Sequence, residues 1–318
     1  MHKTIFLLGA GFTKAAQPSS PTNAEVIPTL VDQLGESSWV QKYRTLYCTD
    51  DIEVLLTRLD IDAASDASKR SDRLAIEGEL VSYFRRFRFT AAALNGAPWL
   101  SSFATELLGQ GDAIITLNYD CFLEGLLDHY AVWTPNGGYD SVDNILVEAE
   151  PNPKEIVIYK IHGSEHFRIS GIFDRPEQEA IAYEFDESIF PVSAAHNHFG
   201  GGIDSRPYVI APSFVKLPHL QIATMMLKIL DFASLARNLV IIGCGLRRED
   251  NFLWLLLTRF LRRPDEKCLV IVDPAATSIS ERLYRYWIGD PSRYARVSLL
   301  PCSLESSFAE LITQLRER

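Results

Sequence analysis

Five small or polar clusters in this chain combine residue types that bind nucleotides or move protons. Gly9-Ala10-Gly11-Phe12-Thr13 holds two glycines, which permit a tight turn and close backbone approach to a pyrophosphate. It lacks the third glycine of G-x-G-x-x-G and is no Walker A loop, so a plain strand-to-helix turn also explains it. Thr116-Leu117-Asn118-Tyr119-Asp120 offers an amide and a carboxylate, which can face a ligand or simply cap a following helix. Lys160-Ile161-His162-Gly163-Ser164 places a histidine, a base near neutral pH, beside a glycine that leaves room for a ligand. A hydrogen-bonded structural histidine is the alternative. Gly243-Cys244-Gly245-Leu246 repeats the two-glycine arrangement ahead of Arg247-Arg248-Glu249-Asp250. Asp273-Pro274 is either a carboxylate for a ribose hydroxyl or a turn.

All five clusters follow short apolar runs that read as strands. The runs are Thr4–Leu8, Ala113–Leu117, Glu155–Ile161, Leu239–Gly243 and Cys268–Asp273. Helical patterns separate them at Cys121–His129, Leu220–Ala236, Asn251–Leu261 and Ser278–Trp287, and a last strand near Val297–Leu300 precedes a C-terminal helix from about 304. Tyr208–Ala211 reads as one more short strand of the alternation. Between the first two strands the chain looks helical. Thr22 and Glu25 make a capping box, Ile52, Leu55, Leu56 and Leu59 share one helix face, and Ile76, Leu80, Tyr83, Phe84 and Phe87 share another. The reading is an α/β fold, a doubly wound, mostly parallel Rossmann-like sheet with a helical insertion after the first strand. It forms one domain over 1–318, with the helical insertion at about 20–108 and an irregular insertion at about 165–206 that contains glycines 200–202. Ligands of such folds sit at the carboxyl ends of the strands, near the point where strand order reverses. All five clusters fall at strand ends.

Composition narrows the classes. Of 318 residues, 47% are hydrophobic and 23% charged, which excludes a disordered or fibrous chain. A formal net charge of −10 argues against nucleic-acid binding over the general surface. In Phe84-Arg85-Arg86-Phe87-Arg88-Phe89, Phe84 and Phe87 belong to a buried stripe, and the arginines to a solvated face or a contact with an acidic partner. No apolar run approaches the ~18 residues of a membrane span. Met1-His2-Lys3 with the following apolar run imitates a secretory signal, but Gly9 and Gly11 break it, and a buried strand is the better reading. Five cysteines with no C-x-x-C pair point to neither a disulfide framework nor a cysteine zinc site, and a reducing cytoplasm is expected. His162-Gly163-Ser164-Glu165-His166 spells H-x-x-E-H, which needs both histidines on one helix face; here it follows a strand and contains a glycine. His196 and His198 lie in the irregular stretch, and no metal is expected.

The clusters 9–13, 116–120, 160–164 and 243–246, in this order, resemble the signature blocks of the sirtuin superfamily. More narrowly they resemble the bacterial sirtuin-like proteins that destroy NAD in antiphage defence, as do Asp51-Ile52-Glu53-Val54-Leu55-Leu56, Ala211-Pro212-Ser213 with Lys216, and the run Leu239–Leu253. The resemblance implies that Gly9, Ala10, Gly11, Phe12 and Thr13 hold the NAD pyrophosphate and wall the nicotinamide pocket. It implies that Asn118 contacts the nicotinamide ribose and positions water, and that Asp120 supports that pocket. His162 is then the general base or a ribose contact, and Gly243, Cys244 and Gly245 meet the adenosine-side phosphate and ribose. Asp273 contacts the adenosine ribose and mildly favours NAD over NADP. The chain departs from protein-deacylating sirtuins in three ways. No four-cysteine zinc module is present, Leu117 stands where they carry glutamine, and Gly-Cys-Gly replaces Gly-Thr-Ser. The expectation is therefore an NAD hydrolase that releases nicotinamide and ADP-ribose. It would be gated by homo-oligomerisation or by a separate sensor or activator protein. An NAD-dependent deacylase and a non-catalytic nucleotide-binding module are the alternatives.

Overall fold

The computed structural model describes residues 4–142, 152–172, 175–194, 206–209, 219–247, 250–262, 267–285, 289–293 and 295–316. Glycines 200–202, His196, His198, Ala211-Pro212-Ser213, Lys216, Arg248 and Glu249 lie outside the described residues.

Six strands form one parallel sheet. They are β1 (Thr4–Leu8), β2 (Ala113–Thr116), β3 (Val157–Lys160), β7 (Asn238–Ile242), β8 (Cys268–Val272) and β9 (Arg296–Leu300), in the order β3-β2-β1-β7-β8-β9. Counted within this sheet alone the order is 3-2-1-4-5-6, that of the Rossmann fold, and it reverses between β1 and β7. Every residue of β1, β7 and β8 is buried. A strand loses water on alternate sides only when helices cover both faces, which is why these segments are continuously apolar. β9 lies at the edge and is buried only at Leu300. The helices following these strands are α1 (Ala10–Ala16), α8 (Phe122–His129), α11 (Asn251–Leu261), α12 (Ala276–Leu283) and α13 (Leu304–Arg316), with α10 (Leu220–Leu235) leading into β7.

The helical insertion is present as α2 (Asn23–Leu34), α3 (Trp39–Tyr47), α4 (Ile52–Ser65), α5 (Ala67–Phe84), α6 (Ala93–Gly96) and α7 (Trp99–Ser102). Thr22 starts α2 through the expected capping box, its backbone N–H donating to Glu25 Oε2 at 2.7 Å. The two apolar stripes read from the sequence are buried and meet in a core separate from that of the sheet, which Tyr119 and Val209 join. No helix among the described residues is long and apolar enough to cross a membrane.

The expectations for 165–206 and for Tyr208–Ala211 are corrected. Among the described residues of the stretch read as irregular, 165–206, β4 (Gly163–Ile172) and β5 (Arg175–Tyr183) pair as antiparallel strands, with the short helix α9 (Pro191–Ala194) after them. The strand read at Tyr208–Ala211 is β6 (Arg206–Val209), and it belongs to this second sheet, of order β5-β4-β6, rather than to the parallel one. Of the arginines after α5, Arg85 and Arg86 are exposed as expected, and Arg85 and Arg88 meet acidic groups of the same chain. Arg88 grips Glu165 at 2.7 and 2.8 Å and Asp186 at 2.7 Å, and Arg85 reaches Glu165 and Glu184 at 3.4 Å, fastening the end of the insertion to the small sheet.

Candidate active site

A cavity of about 360 Å³ opens at the carboxyl ends of the parallel strands, where their order reverses. Its volume is that of a small-molecule site, which typically spans about 300–1,000 Å³. Of the residues singled out from sequence, Gly9, Ala10, Gly11, Asn118, Asp120, His162, Gly243, Cys244, Gly245 and Asp273 line it together. Phe12 does not. Its ring is buried against Phe103 and Trp99, with centroids at 5.0 and 5.6 Å, and is part of the core. Thr13 stands behind the wall, where its hydroxyl donates to Asp120 at 3.2 Å and accepts from Asn118 Nδ2 at 3.1 Å.

The glycines also make a contact with one another. A Cβ on Gly9 would sit 2.5 Å from the Gly243 carbonyl oxygen, and one on Gly243 would sit 2.5 Å from the Gly11 carbonyl carbon. The turn after β1 and the turn after β7 therefore pack backbone to backbone. The Gly11 N–H donates to Gly243 O at 3.0 Å, and the Gly9 N–H to Ile242 O at 3.0 Å. Gly243 is left-handed at φ +57°, and Leu246, a branched residue, is left-handed at φ +45°, so this loop stores strain beside the cavity. Gly245 alone of these glycines faces open space. Gly163, at φ +76°, likewise makes no room for a ligand. A Cβ there would meet the Tyr208 carbonyl at 2.3 Å, and its absence lets β6 pair with β4.

Asn118 is no helix cap. Cys121 holds the N-cap position of α8 without a side-chain cap bond, and Asn118 Nδ2 crosses to the first loop, donating to Gly9 O at 3.2 Å as well as to Thr13. Asp120 accepts from the Phe122 N–H at 3.1 Å, and burial pushes its carboxyl up to about 7 against the opposing pull of Lys160. Lys160 is wholly buried. It pairs with Glu124 at 2.7 Å and donates to the Asp120 carbonyl at 2.6 Å, so the β3 terminus holds the loop after β2 in place. The Glu165 N–H adds a bond to Tyr119 O at 2.9 Å.

His162 occupies the two-residue turn between β3 and β4, where the two sheets meet. Its Nε2 lies 3.0 Å from Asp250 Oδ2, with the side chains 4% and 5% exposed. His166, the other histidine of the H-x-x-E-H string, is in another environment. It contacts Cys121 Sγ, Ser164 Oγ and Tyr139 Oη, each at 2.9 Å, and burial drives its pKa well down, so it is neutral. Among the described residues no group of histidine, cysteine and acidic side chains could hold a metal.

Sequence reasoning missed the wall contributed by the insertion. Arg247 bridges Asp51 at 2.8 Å and Glu53 at 2.6 Å, and Asn23 Nδ2 donates to Glu53 at 2.6 Å. Burial pushes Glu53 up to about 7, opposed by Arg247. Tyr119 and Phe84, with ring centroids 5.2 Å apart, also line the cavity. No local pattern links Asp51, Arg247 and Asp250; only the likeness of the 51–56 and 239–253 runs to one branch of the superfamily drew attention to these stretches.

The family model of the SIR2-like domain matches residues 112–287. It begins just before β2, and so leaves out the first glycine turn and the helical insertion. No curated protein matches the chain. Among solved structures, Sir2Tm bound to a propionylated peptide is similar at 12% identity, covering 99% of this chain and 93% of that one with a TM-score of 0.42. An ADP-ribose complex of a Sir2 homologue mutant is similar at 12% identity, covering 100% and 93% with a TM-score of 0.46. At that distance no residue role is transferred. The family match spans more than half of the chain and includes the Asn118, His162 and Gly243 clusters, so this chain belongs to the SIR2-like domain family.

Proposed function

We propose that the chain is an NAD⁺ hydrolase that cleaves the bond between nicotinamide and ribose. The observation that carries this reading is the facing of Asn118 and His162 onto one cavity at the strand-order reversal, each held from behind by protein groups. In the reaction the C1′–N bond breaks and its electron pair neutralises the pyridinium, leaving an oxocarbenium-like ribose. Water attacks C1′, and its proton passes to His162, giving nicotinamide, ADP-ribose and H⁺. Asn118 is fixed by Thr13 and the Gly9 carbonyl, so its remaining amide capacity orients the ribose or the water with little reorganisation. Asp273 spends one oxygen on the Ala275 N–H at 2.7 Å; its other oxygen is our candidate for the adenosine ribose. A carboxylate there repels a 2′-phosphate and favours NAD over NADP. The chemistry uses no metal.

Unregulated cleavage of NAD would be lethal to the host cell. We therefore assign the chain the role of a gated effector of antiphage defence, switched on by self-association or by a separate sensor protein. The test is nicotinamide release from NAD⁺ by the purified protein, alone and with the product of its neighbouring gene. Full activity of the isolated monomer would remove the gating part of the proposal. Cleavage that requires an acylated peptide would replace the hydrolase by a deacylase.

A further inference from the structure

Asp250 immediately precedes α11, the position where an aspartate normally spends its carboxylate on the helix's free N–H groups. It makes no such capping bond. Instead its Oδ2 lies 3.0 Å from His162 Nε2, across 88 residues of sequence, and both side chains are at least nine-tenths buried at the cavity wall. A carboxylate that gives up a cap worth about 0.5–2 kcal/mol must gain a comparable interaction elsewhere.

We propose that Asp250 is the positioning residue of His162, an inference that rests on the hydrolase reading above. A carboxylate at Nε2 holds a proton on that nitrogen, which leaves Nδ1 as the basic one and fixes the ring plane. When the ring takes the proton of the attacking water, the imidazolium lies against a negative charge that is already in place, and no solvent has to reorganise to stabilise it. The loop that carries Asp250 is itself tied to the insertion, since Arg247 bridges Asp51 and Glu53. The dyad thus joins the β3 terminus, the loop after β7 and the start of α4. Ionisable groups around it include Tyr119, whose ring centroid lies 6.4 Å from that of His162, Glu53, which interacts electrostatically with both Asp250 and Tyr119, Cys244, which interacts electrostatically with Asp250, and Arg247 on the same cavity wall.

The test compares the wild type with Asp250→Asn, which keeps the shape but removes the charge, and Asp250→Ala. Selective ¹³C labelling of the histidines lets NMR follow the His162 Cε1–H against pH, with His162→Ala assigning its signal among the seven. An adjacent carboxylate raises a histidine pKa by about 1–3 units, so the Asp250→Asn midpoint should fall by about that much. In turnover, kcat should drop about 10²- to 10⁴-fold with KM little changed, and the acid limb of its pH profile should move to lower pH. An unchanged midpoint, or loss confined to KM, overturns the proposal. If the wild type cleaves no NAD under any condition, the hydrolase reading and the positioning role built on it both fall, and the midpoint shift then reports the ion pair alone.

Discussion

Adding one methyl group at Gly243 tests how the two glycine turns make the cavity. Gly243 is left-handed at φ +57°, a conformation that costs a residue with a Cβ about 1–2 kcal/mol. The new Cβ would also sit 2.5 Å from the Gly11 carbonyl carbon and 2.6 Å from the Phe12 nitrogen, both backbone atoms that no rotamer change can move. Overpacking of this kind costs a further ~1–3 kcal/mol, so Gly243→Ala should destabilise by about 2–5 kcal/mol. At about 2–4 °C per kcal/mol, that lowers the melting temperature by roughly 4–20 °C. Gly245→Ala is the control, because a Cβ there meets nothing within 4 Å. Its stability should stay within about 0.5 kcal/mol of wild type, and any loss should appear in ligand binding. Calorimetry or urea unfolding of the two variants side by side decides the matter. A Gly243→Ala protein as stable as wild type would refute the backbone-to-backbone packing of the turns after β1 and β7.

Lys160→Met strands the buried Glu124 carboxylate and should cost about 3–5 kcal/mol in urea unfolding, whereas the double variant with Glu124→Leu should recover most of that loss. Asp120 has a folded pKa of about 7, above its ordinary carboxylate value, so its stabilising contribution is complete below about pH 4 and is lost as pH rises to about 7. Asp120→Asn, which keeps an acceptor for Phe122 N–H and removes the titration, should reduce the change of the urea midpoint between pH 4 and 8, leaving the part due to Glu53, which burial also pushes up to about 7. Arg247→Ala leaves Glu53 buried without its cation, so the Glu53 pKa should rise above about 7, measurable as a shift of the pH dependence of stability to higher pH.

The parallel sheet was legible because its central strands β1, β7 and β8 are buried on both faces and so read as unbroken apolar runs, and the strand ends located the cavity for the same reason. The β4–β5 hairpin was not. Pro176 and the charged stretch 175–179 hide the alternation that Phe167 and Ile169, or Ile181 and Tyr183, carry on either side. Glycine also misled in a specific way. Two glycines at a strand end signal close approach, but not of what: at 9–11 and 243 the approaching group is the other turn, and at 163 it is β6. Asn118 and His162 were singled out by the resemblance of their clusters to the superfamily's blocks. Asp250 and Arg247 could not be, since their partners lie 88 and 196 residues away and an aspartate before a helix reads as a cap.

The most direct test of the central claim is nicotinamide release from NAD⁺ by the purified wild type, His162→Ala and Asn118→Ala, each with and without the neighbouring gene's product. The account predicts release by the wild type in at least one condition, and its loss in both variants while their circular dichroism and unfolding midpoints stay near wild type. Binding of NAD⁺ with no cleavage in any condition, or cleavage that survives both substitutions, would contradict it.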